Sequence, residues 1–140
     1  MINPYEIVSK SALPALRAMV SRRLREQYNL TQREIADRLG VTQASVSNYE
    51  RKARGVMLNL ETDTTLARGA DQVATLLAPN DADQREVLKT MTEMCDYIRF
   101  NHLMCTLHHD LDPGLVVEGC DACNGLLSVR DFERLKTIPG

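Results

Sequence analysis

The chain is 140 residues long, 44% hydrophobic and 4% aromatic without tryptophan, and carries a formal net charge of -2. That length allows one ordinary domain or a small module with a second one appended. No apolar run approaches the ~18 to 20 residues of a membrane span, and the N-terminus lacks a signal-like pattern, so a cytoplasmic protein without a membrane role is expected. The small net charge hides an asymmetry. Residues 1–54 hold ten Lys/Arg against five Asp/Glu, whereas residues 55–140 hold seven against fourteen. A basic first half joined to an acidic second half suits a module that meets polyanions, followed by one of another kind.

In chain order, the first helix is expected to begin near Pro14, because proline is tolerated in a first turn. Leu13, Leu16, Val20 and Leu24 form its apolar stripe. Thr31 with Glu34 has capping-box spacing for a second helix, and Thr42 is placed to cap a third. From Gly55 to Asp63 periodicity lapses into a loop or short strand. Thr64 or Thr65 would cap the next helix, with the stripe Leu66, Ala70, Val73 and Leu77 and its end at Pro79. Asp81 with Gln84 would open a long helix whose seam runs Leu88, Met91, Cys95, Ile98, His102 and Cys105. Asp110 to Gly125 breaks regular structure, and a short helix over about Val129 to Thr137 closes the chain. The class is mostly α, with no internal repeat.

The segment from Gln32 to Arg51 has a register in which each position has its own steric reason. Ile35 faces the core, Ala36 lies where two helices cross, and Gly40 occupies a turn whose left-handed backbone glycine adopts at little cost. Val41, Val46 and Tyr49 present an apolar face back to the preceding helix. The outer face of the last helix is polar and largely uncharged. This is a helix-turn-helix, whose final helix lies in the major groove of DNA. Gln43, Ala44, Ser47, Asn48 and Arg51 are the candidate base readers: Gln and Asn suit adenine, Ala the thymine methyl, Arg guanine. Thr42 opens that helix, and Gln32, Lys52 and Arg54 are placed for phosphate contacts. Arg17, Arg22, Arg23 and Arg33 read better as a solvated helix face. The competing reading of the segment is an ordinary helical hairpin.

The segment LTQREIADRLGVTQASVSNYERKARG resembles the Xre/lambda-repressor-like family of helix-turn-helix regulators. The wider pattern, with cysteines toward the C-terminus, is similar to small archaeal regulators of that class. The resemblance implies a homodimer on a near-palindromic operator in double-stranded DNA, and it assigns groove and phosphate contacts to Gln43 and Gln32. Ala44 departs from the polar residue often found at its position.

All four cysteines, Cys95, Cys105, Cys120 and Cys123, lie in the last third. In a reducing compartment the pair Cys120-Asp-Ala-Cys123 suits a metal clasp or a redox site better than a structural disulfide. An iron–sulfur cluster is the leading reading, with structural zinc, buried cysteines or a thiol switch as alternatives. Ten residues of unbroken helix would hold Cys95 and Cys105 about 15 Å apart, too far to share one metal. Hence the helix breaks between them, a second chain supplies ligands, or Cys95 belongs to the core. His102 could share a site with Cys105, whereas His108, His109 and the methionines Met91, Met94 and Met104 read as structural.

Residues 1–60 are thus expected to form a helix-turn-helix DNA-binding domain. Residues 61–140 are expected to form a helical dimerisation domain bearing the metal or iron–sulfur sensor. The expected function is redox- or metal-responsive transcriptional regulation. A zinc-clasped helical adaptor acting through protein contacts is the alternative, and nothing in the pattern suggests an enzyme.

Overall fold

The structure is a computed structural model and describes residues 1–51, 58–123 and 133–139. Among the described residues every regular element is helical. The N-terminal helix starts ten residues earlier than Pro14 suggested. Asn3 caps α1 (Pro4–Ile7) in a capping box with Glu6, and the helix continues through a π-wound segment, Val8–Ala12, into α2 (Leu13–Tyr28). In that segment the Leu13 amide reaches the Val8 carbonyl, five residues back. Pro14 has no amide to offer a regular ladder, and its ring would crowd the carbonyl four residues earlier. The wider turn beside it lets the helix run on.

Asn29 ends α2 in the left-handed region, and α3 (Gln32–Leu39) and α4 (Gln43–Arg51) follow. Residues 58–63 form a loop leading to α5 (Thr64–Leu77), which is capped by Asp63 rather than by Thr64 or Thr65. Asp63 Oδ1 accepts from the Leu66 amide at 3.0 Å. Helix α6 (Gln84–Phe100) likewise takes its cap from Asp83, not Asp81. An aspartate directly before the first turn reaches an orphan amide that one three residues away cannot.

The expected long seam does not persist as one helix. It stops at Phe100 and resumes as α7 (Cys105–Leu111). His102 adopts φ 59°, while the Leu103 amide reaches Ile98 O (3.0 Å) and the His102 amide reaches Arg99 O (3.2 Å). This paired closure satisfies the last carbonyls of α6 and turns the chain away. Within α6 the expected seam members Cys95 and Ile98 are buried and Met91 packs on the core, but Leu88 is 65% exposed and Thr90, Met94 and Arg99 are buried beside them. A short α8 (Glu133–Lys136) closes the described chain.

The core is continuous through these elements. Leu16, Met19, Val20 and Leu24 of α2 meet Ile35 and Val46 on one side and Leu66, Val73 and Leu77 of α5 on the other. Met94, Ile98, Met104 and Leu135 extend it past the expected boundary at residue 60. Gly69 allows α5 and α6 to approach closely, since a Cβ there would lie 2.8 Å from Met94 Sδ. At the rim, Arg22 Nη2 pairs with Glu61 Oε2 at 2.6 Å and Arg23 Nη2 with Glu61 Oε1 at 3.0 Å; Arg23 also pairs with Asp71. These ion pairs tie α2 to the 58–63 loop and α5. Among the described residues, no helix is long and apolar enough to cross a membrane.

Candidate nucleic-acid interface

The turn between α3 and α4 is set by local chemistry. Thr31 Oγ1 accepts from the Glu34 amide at 3.2 Å while Glu34 Oε1 accepts from the Thr31 amide at 3.1 Å, completing the expected capping box. Those bonds from Thr31 hold the Glu34 carboxyl below its usual range. Gly40 closes α3 at φ 68°, and its neighbour Val41 donates to Ala36 O at 3.1 Å. Thr42 Oγ1 then accepts from the Ser45 amide at 3.0 Å, capping α4. Ile35 and Val46 are fully buried and Ala36 nearly so, which locks the two short helices against α2. This arrangement follows the steric register read from the sequence.

Locking Val46 inward turns the opposite face of α4 out. Gln43, Ala44 and Arg51 are exposed and Ser47 and Asn48 partly so. Their spacing places them along one side of the helix. Arg51 Nη2 donates to Asn48 Oδ1 at 2.8 Å, so two of the expected base readers are bonded to each other in the free protein. Gln32, at the start of α3, donates through Nε2 to Glu50 Oε2 at 2.7 Å, and Arg25 Nε lies 3.6 Å from Glu50 Oε1. Glu50 was not singled out from the sequence. Eighteen positions separate it from Gln32, and no periodicity links them. Lys52 and Arg54 lie outside the described residues. Arg22 and Arg23 are committed to Glu61 and Asp71 and largely covered, so they are ion-pair anchors rather than the solvated face expected.

Burial raises the Tyr49 hydroxyl pKa, against the nearby charge of Arg17. Tyr49 is half-buried. The outward face of α4 is one of amide, hydroxyl, methyl and guanidinium groups, a set able to match base edges.

Cys95 and Cys123 are buried in the core, and Cys105 and Cys120 are half-buried. Burial followed by the Asp96 charge pushes the Cys95 thiol up to about 11. Burial raises Cys105, with further contributions from Cys123 and Cys120. Burial also raises Cys123, against the opposing charge and hydrogen bond of Arg99. Cys105 Sγ lies 3.5 Å from His102 Nδ1. The break between α6 and α7 thus places Cys105 with the C-terminal pair and leaves Cys95 behind. Among the described residues, no three His, Cys, Asp or Glu side chains converge closely enough to hold a metal ion. His108 Nε2 bonds to Ile2 O at 2.6 Å and His109 Nδ1 to Leu115 O at 2.8 Å, consistent with structural roles.

No curated protein and no solved structure matches the chain. Residues 22–62 match the family described as helix-turn-helix, a span that covers the end of α2, both short helices and the following loop. The register, the left-handed glycine turn and the outward polar face lie inside that span. Residues 22–62 of the chain therefore form a helix-turn-helix segment of the kind found in Xre/lambda-repressor-like proteins.

Proposed function

We propose that the protein is a sequence-specific transcriptional regulator that lays α4 in the major groove and reads bases with Gln43, Ala44, Ser47, Asn48 and Arg51. The observation that carries this is the outward polar face of α4, held by buried Val46 and the Gly40 turn. Gln32 and Thr42, at the starts of α3 and α4, would meet phosphates once the Gln32–Glu50 bond opens. On this reading two copies bind a near-palindromic operator, with half-sites about one turn, ~34 Å, apart. Selection of bound duplexes from a random pool, followed by anisotropy titrations across salt, tests the assignment. Gln43→Ala or Asn48→Ala should cost about 1 to 3 kcal/mol of discrimination at one base pair and leave the salt slope intact. Equal affinity for all duplexes, or binding unaffected by both substitutions, would overturn it.

Redox or metal responsiveness is proposed for Cys105, Cys120 and Cys123, supported by their mutual influence and by His102 beside Cys105. An iron–sulfur cluster, or zinc in its place, would need these thiols to draw together. Metal and sulfide analysis of anaerobically purified protein decides this. Loss of metal in Cys105→Ser and Cys120→Ser, with retention in Cys95→Ala, is expected; metal-free parent protein would end the reading.

A further inference from the structure

A cavity of about 400 Å³ opens between α2, the C-terminal end of α3, α5 and α6. Most of its wall is apolar, including Leu39, Val73, Leu77 and Met91. The volume falls in the range of small-molecule sites, which join an apolar lining to a few convergent polar groups. Here those groups are mainly cationic: Arg17, Arg38 and Arg99 line the cavity against one carboxylate, Asp96. Arg38 is spent on the carbonyls of Ala78 and Pro79 that end α5. Asp96 lies 3.6 Å from Arg99, and among the described residues no carboxylate stands within ion-pair distance of Arg17.

Arg99 is the unusual member. Its side chain is 9% exposed and its guanidinium lies over the Tyr5 ring, 4.5 Å from the centroid. Its Nε is buried without a hydrogen-bond partner. A buried donor left unmatched is costly, and Arg99 carries one while belonging to the residues that line the cavity. Arg17, which also hydrogen-bonds the Tyr49 hydroxyl, adds a second positive charge to the lining.

We propose that this cavity binds a small amphipathic organic anion, a carboxylate with a medium-length aliphatic chain. The chain would lie among Val73, Leu77 and Met91, and the anionic oxygens would meet Arg99 and Arg17. Such a ligand bridges α3 of the DNA-reading pair and α6, although its binding does not depend on the DNA-binding reading. The site borders the cysteines, since Cys95 lines the cavity and Arg99 hydrogen-bonds Cys123.

Methyl-resolved nuclear magnetic resonance of the full chain, titrated with octanoate, octan-1-ol and acetate, tests the proposal. Octanoate should shift the Val73, Leu77 and Met91 methyls saturably, about tenfold more tightly than octan-1-ol, and acetate should leave them unmoved. Arg17→Gln should weaken octanoate about fivefold or more while leaving octan-1-ol unchanged. If Arg17→Gln does not fold, the octanoate to octan-1-ol ratio on the parent protein still decides. Equal affinity of acid and alcohol, or no saturable shift with octanoate, overturns the proposal. So does movement of the same methyls on dilution without ligand, which would assign the cavity to a second copy of the chain.

Discussion

Gln32 Nε2 donates to Glu50 Oε2 at 2.7 Å, joining the first residue of α3 to the last turn of α4. The bond braces the two short helices, yet it sets a carboxylate beside the surface that would face phosphate. Glu50→Gln keeps a polar partner for Gln32 and removes that charge. Operator affinity should rise about two- to fivefold at low salt, and the gain should shrink as salt screens it. Anisotropy titrations at two ionic strengths measure this; unchanged or weaker binding at low salt would count against α4 as the DNA face.

Gly40 sits at φ 68° with no atom within 4 Å of where a Cβ would be. A substitution there meets backbone strain and no clash. Gly40→Ala should destabilise the fold by about 1 to 2 kcal/mol, and Gly40→Asn by less, because Asn tolerates the left-handed region. Denaturant unfolding of the pair gives both values. Equal losses for Ala and Asn would point to something other than backbone conformation.

Burial alone would raise the Glu61 carboxyl, but hydrogen bonds from Arg23 and Arg22 outweigh it and hold the pKa below its ordinary value. A depressed folded-state pKa stabilises above the unfolded value, about 4.3, and that stabilisation is lost as pH falls through the folded one. Because Glu61 remains 36% exposed, the effect should stay under about 1 kcal/mol. Glu61→Gln should be slightly less stable than the parent at pH 7, and the two should converge in acid. Melting curves across that range check the sign.

Cys95 behaves in the opposite sense. Its thiol is pushed up to about 11 by burial, so above the unfolded value of about 8.5 the unfolded chain loses a proton that the folded chain keeps. Stability should decline between those two values, by on the order of 3 kcal/mol if the shift is fully expressed. Cys105 and Cys123 are raised too, and Cys95→Ala separates the contribution of Cys95 from theirs. Iodoacetamide at pH 7.5 should spare Cys95 in folded protein while labelling the half-exposed Cys120. Rapid labelling of Cys95 would contradict its place in the core.

The helix-turn-helix was legible because its constraints are short-range. A capping box, a left-handed glycine and a small residue at a crossing each leave a mark within a few positions. The N-terminal helix was misjudged because Pro14 reads as a starter, although Asn3, Pro4 and Glu6 already spell a cap, a first-turn proline and its partner. The α6 seam held at Met91, Cys95 and Ile98 but was incomplete for a tertiary reason. Thr90 and Arg99 are buried, and Leu88 is left at the rim of a cavity, which an apolar stripe cannot disclose. The split of the cysteines followed from His102, a non-glycine residue in the left-handed region, whose position in the sequence gives no warning of a stop.

The π-wound segment has a consequence for how the chain tolerates length changes. One extra residue in a helical turn rotates everything upstream by about 100°. That rotation accompanies the seating of Tyr5 over Arg99 and of Ile2 against both His108 and Asp112. A relative lacking one residue between Val8 and Ala12 would have an aligned sequence but a misaimed leading turn. In this stretch the count of residues matters as much as their identity.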